Sequence, residues 1–354
     1  MSAVLPASAA NSLDDAQQKS EGVWHAAWRR FKSDRVGYWA MMIVFAFIAL
    51  IALSAVGLVA KNWQDEVGVP NAPPTLLGPA APQASAAVEQ PKGPNVDLSD
   101  IDPLAPRYKE WDEKAKQFQT AEKPKAETLP FGGDRLGRDV MSKAIKGTEI
   151  SVFVGVMAAI AATGLGTLLG ALGGFFGGKV GDFLEWVYNV FESIPNILLI
   201  FAFAAVVGRG VQGVVIILAL TGWTGMYRQV RAEFMKHRGR EYVRAAEAIG
   251  ASTGSRMFKH ILPNVSHVIL VRMSLLAVGF IKAEVILSYL GLGVRVDQVS
   301  WGTMLAEAQS ELILGHWWQL ATATLFMAVF VTAFSMMADA WRDALDPKLR
   351  GLEK

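Results

Sequence analysis

Long uncharged, apolar runs alternate with shorter polar ones along this chain, and only residues 61–130 break the rhythm. Val36–Ala60 is 25 residues without a charge, long enough to cross a bilayer with some tilt. It starts too late and runs too long for a cleaved signal peptide, so it reads as a retained helix. Further runs at Ile150–Phe176, Phe183–Val207, Gly210–Tyr227, Val265–Val294 and Trp317–Ala338 complete the pattern. It predicts an all-α, polytopic membrane protein with six transmembrane helices, a form in which the backbone satisfies its own hydrogen bonds in lipid. Pro195 is expected to kink the third span. In the second, Gly166, Gly170, Gly174 and Gly178 recur every fourth residue, a stripe that lets another helix approach closely.

The polar intervals divide the rest. Residues 1–35 form an N-terminal segment: 1–20 are small and polar and should be disordered. In Trp24–Arg35, Trp24, Trp28 and Phe31 alternate with Arg29, Arg30, Lys32 and Arg35, predicting an interfacial helix with its aromatics among the headgroups. A span follows immediately, which argues against a nucleic-acid arm. Residues 61–130, rich in proline, alanine and charge, read as a large extracytoplasmic insertion with one solvated helix near Tyr108–Thr120. Residues 131–345 hold the remaining spans and a basic loop, 228–264; Arg295–His316 reads as an outer loop and 346–354 as a tail.

That loop carries the most local information. Tyr242, Ala245, Ala246 and Ile249 fall on one face of a short helix, and Gly250 stands where a helix commonly ends in a left-handed residue. A second helix can start near Ser252 or Thr253, carrying Met257, Phe258, Ile261 and Leu262 inward until Pro263 stops it. Two small alanines on the apolar face would let another surface come close. The loop holds eight cations from Arg228 to Lys259, whereas the short opposite loops hold only Arg209 and Arg295. The positive-inside rule therefore puts the loop and both termini in the cytoplasm.

Composition agrees: 52% of the 354 residues are hydrophobic and 19% charged. There is no cysteine, and the five histidines show no metal-ligand spacing, which leaves no thiolate chemistry and no metal site in view. Gly173, Gly178 and Lys179 match part of a phosphate-binding loop. Val180, however, stands where Ser or Thr must reach magnesium, and an apolar helix precedes it instead of a strand, so ATP binding by this chain is not expected. Arg272, Lys282 and Glu284 lie inside the fifth run, where ionisable groups must face a cavity or a partner. Glu284 reads as a structural ion pair within the bundle, with a place on a translocation path as the alternative.

Several strings resemble one family. Ala245, Ala246, Gly250, His260, Ile261, Leu262, Pro263 and Asn264 resemble the E-A-A loop of bacterial ABC-importer permeases, with Arg244 in place of the leading glutamate. Gly132, Asp134, Leu136, Gly137, Arg138 and Asp139 resemble the G-T-D-x-L-G-R-D signature before the second helix, Gly133 being the departure. ILSYLGLG at Ile286–Gly293 after Glu284, then Trp301, Gly302, Met304 and Leu305, and finally WRDALDPKLR at Trp341–Arg350 follow in the family's order. The chain is similar to the C-type permease subunit of dipeptide, oligopeptide and nickel ABC importers.

The resemblance implies a type I ABC-importer permease fold in a bacterial inner membrane, multi-pass, with both termini cytoplasmic. It implies a heterodimer with a second permease, two cytoplasmic ABC ATPases that hold the ATP and magnesium, an extracytoplasmic solute-binding protein and surrounding lipid. No cofactor, catalytic residue or nucleic acid is expected on this chain. Tyr242, Ala245, Ala246, Ile249, Gly250, His260, Leu262 and Pro263 would couple it to the ATPase. Arg138, Asp139, Lys282 and Glu284 are structural or pathway candidates. Peptide cargo is the family-level expectation, with nickel or another small solute as the alternative. A secondary transporter would normally show inverted repeats and midplane acids, and the large basic loop argues instead for a docked partner.

Overall fold

Glycine decides how closely the two central helices meet. The computed structural model describes residues 23–79, 107–117, 124–295 and 297–345. The expectations for residues 1–20, for 80–106 and 118–123 of the insertion, and for the 346–354 tail lie outside the described residues. Helices run in the order α1 (Val23–Ser33), α2 (Arg35–Ala55), α3 (Tyr108–Gln117), α4 (Val140–Phe176), α5 (Gly178–Glu192), α6 (Asn196–Val207) and α7 (Val211–Arg238). They continue as α8 (Glu241–Ala248), α9 (Leu262–Tyr289), α10 (Trp301–Ile313) and α11 (Trp318–Leu345). Among the described residues there are no β-strands, only isolated bridges such as Gly68 with Ala126 and Pro74 with Leu129.

The largest helix–helix contact joins α4 to α7. A Cβ on Gly170 would stand 2.8 Å from the Tyr227 carbonyl oxygen, and one on Gly174 2.5 Å from that of Arg231. Only glycine permits that approach, which brings α4 backbone against α7 backbone over two turns. Gly178 lies past the end of the contact, with open space at its Cβ position. Around this seam Val154, Ala158, Ile200, Ile217, Leu218 and Phe280 form one apolar cluster, so α4, α6, α7 and α9 share a core.

Three helices, α2, α4 and α11, are long and apolar enough to cross a membrane, and the α5–α6 pair makes a fourth if counted as one broken span. That pair corrects the expected kinked helix, because α5 and α6 meet at 89°. Pro195 has no N–H to donate and disfavours a helical Ile194, so the first helix ends and a second starts. α2 stops at Ala55, five residues before the predicted end at Ala60, with Gly57 at φ 79° just beyond.

α4 starts ten residues before the predicted Ile150, because the Asp139 carboxylate caps it by accepting from the N–H groups of Met141 and Ser142. The expected outer loop Arg295–His316 contains a full helix, α10. Ser300 and Thr303 form a reciprocal capping box at its start. Phe31 does not lie among headgroups: it is fully buried, its ring 4.6 Å from that of Trp341, with Trp28 stacked on both. The amphipathic α1 has found its apolar partner within this chain, on the last turns of α11.

Candidate functional site

The basic loop is built as a short helix, a left-handed stop and a re-entry. Gly250 has φ 84°, its N–H reaches the Glu247 carbonyl at 2.9 Å, and the next N–H, of Ala251, reaches back to Ala246 at 2.9 Å. This paired arrangement closes the end of α8 and needs a residue without a β-carbon. Ser252 then caps the following turn by accepting from the Ser255 N–H. The chain does not stop at Pro263. Arg256–Ile261 forms a π-helical turn, with Leu262 N–H bonded to the Met257 carbonyl, and α9 continues through the proline. A wider turn removes the clash that a proline ring makes with the carbonyl four residues back, so Pro263 sits in the first turn of α9.

Within α8 the expected single apolar face divides. Val243 is buried against Met257, Ile261 and the ends of α4 and α7, and Ala246, three residues on, is buried too at 4% exposed. Ala246 therefore faces this chain's own core, which corrects its place on an outward face. Tyr242, Ala245 and Ile249 face outward, and Ile249 is 86% exposed. Met257 and Ile261 turn inward as expected, but Phe258 is 47% exposed and Leu262 only partly covered. The π turn shifts the register, placing Phe258 outside.

Side chains fix the loop to the bundle. The Tyr242 hydroxyl and His237 Nδ1 are 2.8 Å apart, Arg256 pairs with Glu247, and the Arg256 guanidinium lies over the Phe175 ring. His260 is half-buried, and its carbonyl accepts from Asn264 Nδ2 at 2.6 Å. Arg244, which replaces the expected glutamate, is exposed beside a groove lined by Arg231, Arg238 and Glu247.

A second polar constellation lies at the other end of α4. Asp134, fully buried, accepts from Arg138 Nε at 2.7 Å, Lys143 Nζ at 2.7 Å and the N–H groups of Leu136 and Arg138. Lys143, 1% exposed, also binds Glu307 on α10 and Gln319 on α11. Glu311 accepts from the Arg135 N–H, and Trp318 Nε1 donates to the Gly133 carbonyl at 2.7 Å. Burial pushes Asp134 up, but Lys143 and Arg138 outweigh it and hold the carboxyl below its ordinary value. Gly137, at φ 80°, packs its backbone on the Gly68 carbonyl, tying residues 67–75 to the same knot.

Residues 166–351 match the model of the binding-protein-dependent transport system inner membrane component family. The chain belongs to that family. The dipeptide transport system permease protein of Bacillus subtilis is 36% identical over 62% of this chain and 69% of its own length. The oligopeptide transport system permease protein of the same organism is 35% identical over 70% and 81%. A dipeptide transport system permease protein of Lactococcus lactis is 27% identical over 91% and 90%. A solved inward-facing structure of the MetNI methionine ABC transporter covers 58% of this chain and 98% of that one, at a TM-score of 0.49 and 16% identity.

In this permease Glu284 is fully buried but makes no ion pair among the described residues, where one was expected. Lys282 is exposed, and two residues apart on a helix the side chains point away from each other. Glu284 Oε1 instead accepts from the Ser288 hydroxyl at 2.7 Å, with Ser151 and Ser300 also facing the carboxylate. Ser288 Oγ in turn accepts from Val294 N–H, and Ser151 Oγ from Trp301 N–H. The carboxylate thus fixes the turn between α9 and α10. Lys143, Glu307, Glu311 and Gln319 were not legible as a site; the cap at Asp139 was the signal that α4 starts early enough to include Lys143.

Proposed function

We propose that this permease is one of two non-identical membrane subunits of an importer for di- and oligopeptides. Two ABC ATPases dock on its inner face, and a solute-binding protein delivers cargo from outside. The observation that carries the reading is the outward face of α8, where Ile249 is 86% exposed next to Tyr242 and Ala245 on a strongly basic, non-spanning loop. Grouped on one face of a short helix, these exposed side chains offer a docking surface for another protein, which one alone would not. The dipeptide and oligopeptide permeases among its relatives support peptide as the cargo. ATP and magnesium belong to the ATPases, and this chain binds no cofactor and does no chemistry. ATP-driven closure would draw the loops together and shift the bundle between two packed arrangements. Purified from detergent, the chain should bring down an ABC ATPase, and the reconstituted assembly should take up a labelled dipeptide. Copurification of no ATPase sinks the proposal.

In the same reading α2, α4, the α5–α6 pair, α7, α9 and α11 are six spans with both termini and residues 228–264 cytoplasmic. The described residues of the 61–130 insertion then lie outside. Because the chain has no cysteine, single cysteines report topology cleanly. Leu76→Cys, at a position 94% exposed, should react with an impermeant maleimide in intact spheroplasts, and Ile249→Cys only after lysis. The reverse pattern inverts the assignment.

A further inference from the structure

The break at Pro195 opens a cavity of about 450 Å³ between α5, α6, α7 and α9. Its polar lining is Glu192, Asn196, Thr221, Thr224, Arg228 and Arg272. Arg231, three residues beyond Arg228, pairs with Glu185 at 3.1 Å. Arg228 and Arg272 form no ion pair among the described residues, and Arg272 Nε is buried without a hydrogen-bond partner. The Arg272 guanidinium rests against Gly225, where a Cβ would stand 2.8 Å from Nη2, so α7 has been thinned to admit it.

Arg272, partly buried within α9 with an unpartnered Nε, is costly in an apolar bundle and needs an anion, and the exposed Arg228 adds a second positive charge at the cytoplasmic edge of the cavity. A third positive feature adds to them. α6, 12 residues long, starts at Asn196 on the cavity wall without a side-chain cap, leaving the positive end of its dipole toward the same space. Glu192, on the same wall, also has no ion pair among the described residues. The cavity therefore offers sites for both signs of charge, and its volume falls in the range of small-ligand pockets.

We infer that this cavity holds a zwitterionic peptide in transit, its terminal carboxylate on Arg272 and Arg228 and its ammonium toward Glu192. This rests on the peptide reading above but places the cargo at named residues. A guanidinium is suited to a carboxylate because its planar N–H groups match the two oxygens.

The test uses the complete complex with its binding protein, reconstituted in vesicles of neutral phosphatidylcholine, and labelled Ala-Ala as cargo. Arg272→Gln should cut Ala-Ala uptake per complex about tenfold, the size of one lost charge-assisted hydrogen bond, and Arg228→Gln should cut it in the same direction. ATP hydrolysis stimulated by the loaded binding protein should persist, and Arg272→Lys should recover much of the uptake. Ala-Ala amide, lacking the carboxylate, should lose little between wild type and Arg272→Gln. If the wild type itself refuses the amide, loss in Arg272→Gln with recovery in Arg272→Lys still supports the site.

Unchanged Ala-Ala uptake in both glutamine variants, or equal loss of acid and amide, overturns it. So does a fall in copurified second permease, which would give the guanidiniums to a carboxylate of that subunit. A deficit seen only in vesicles containing anionic lipid would give them to a headgroup. A wild-type complex that carries no peptide at all refutes the peptide reading itself, a result separable from these.

Discussion

Gly250→Val should cut ATP-driven uptake about tenfold while leaving the amount of inserted permease unchanged. Gly250 sits at φ 84°, and a β-carbon there would meet nothing within 4 Å, so the cost is conformational and not steric. A β-branched residue forced into the left-handed region costs about 1–2 kcal/mol. The chain can escape that cost only by unwinding the end of α8, which displaces Tyr242, Ala245 and Ile249 from their outward face. Since about 1.4 kcal/mol is a tenfold change in equilibrium, ATPase docking should weaken tenfold or more. Asparagine tolerates the left-handed region, so Gly250→Asn should retain most uptake. The pair of variants separates backbone conformation from side-chain size. Wild-type uptake by Gly250→Val, measured per inserted molecule, would show that α8 does not couple the permease to its motor.

Asp134→Ala should be the most destabilising single change at the outer end. Asp134 is fully buried and answers two cations, Arg138 and the 1% exposed Lys143. Removing it leaves Lys143 with Glu307 as its one carboxylate among the described residues, and breaking such a buried arrangement costs about 3–5 kcal/mol. The Tm of the purified permease should fall by roughly 10 °C, taking about 2–4 °C per kcal/mol for a chain of this class. Adding Lys143→Met removes the orphaned charge and should restore part of the loss, whereas additive losses would deny the coupling. The same carboxylate sets an acid limit. Its folded value lies below the ordinary 3.8, so its stabilisation is fully present above that value and is lost as pH falls through the lower folded one. Asp134→Ala should therefore flatten the acid end of the stability profile.

What the sequence made legible was set by periodicity and by residues with few conformational options. Apolar runs located the main helices of the bundle, and Gly250 announced the end of α8, because one residue type suffices to decide each. The side that Ala246 takes was not legible. An alanine suits both a docked partner and the chain's own core, and only the tertiary packing around α8, which leaves Ala246 4% exposed, decides. Pro263 misled because a proline stops a helix unless the preceding turn widens, and nothing local announces a π turn. The Asp134–Lys143–Glu307 knot joins positions up to 173 residues apart, beyond the reach of any pattern along the chain. Glu284 misled differently: the nearest cation in sequence lies on the opposite side of the helix, while its serine partners come from three separate segments.

The glycine seam between α4 and α7 has a mechanical consequence. Where side chains separate two helices, a small slide is absorbed as rotamers change; along Gly166, Gly170 and Gly174 there are no rotamers to change, and the facing atoms are largely backbone. The two helices behave as one doubled rod, stiffer than either alone. α7 is 28 residues long, about 42 Å at the helical rise, and its last turn feeds directly into α8. A push on Ile249 therefore travels along that rod with little slack, and the right-angled corner at Pro195, which shares a cavity with Thr221 and Arg228 of α7, is where the chain can yield.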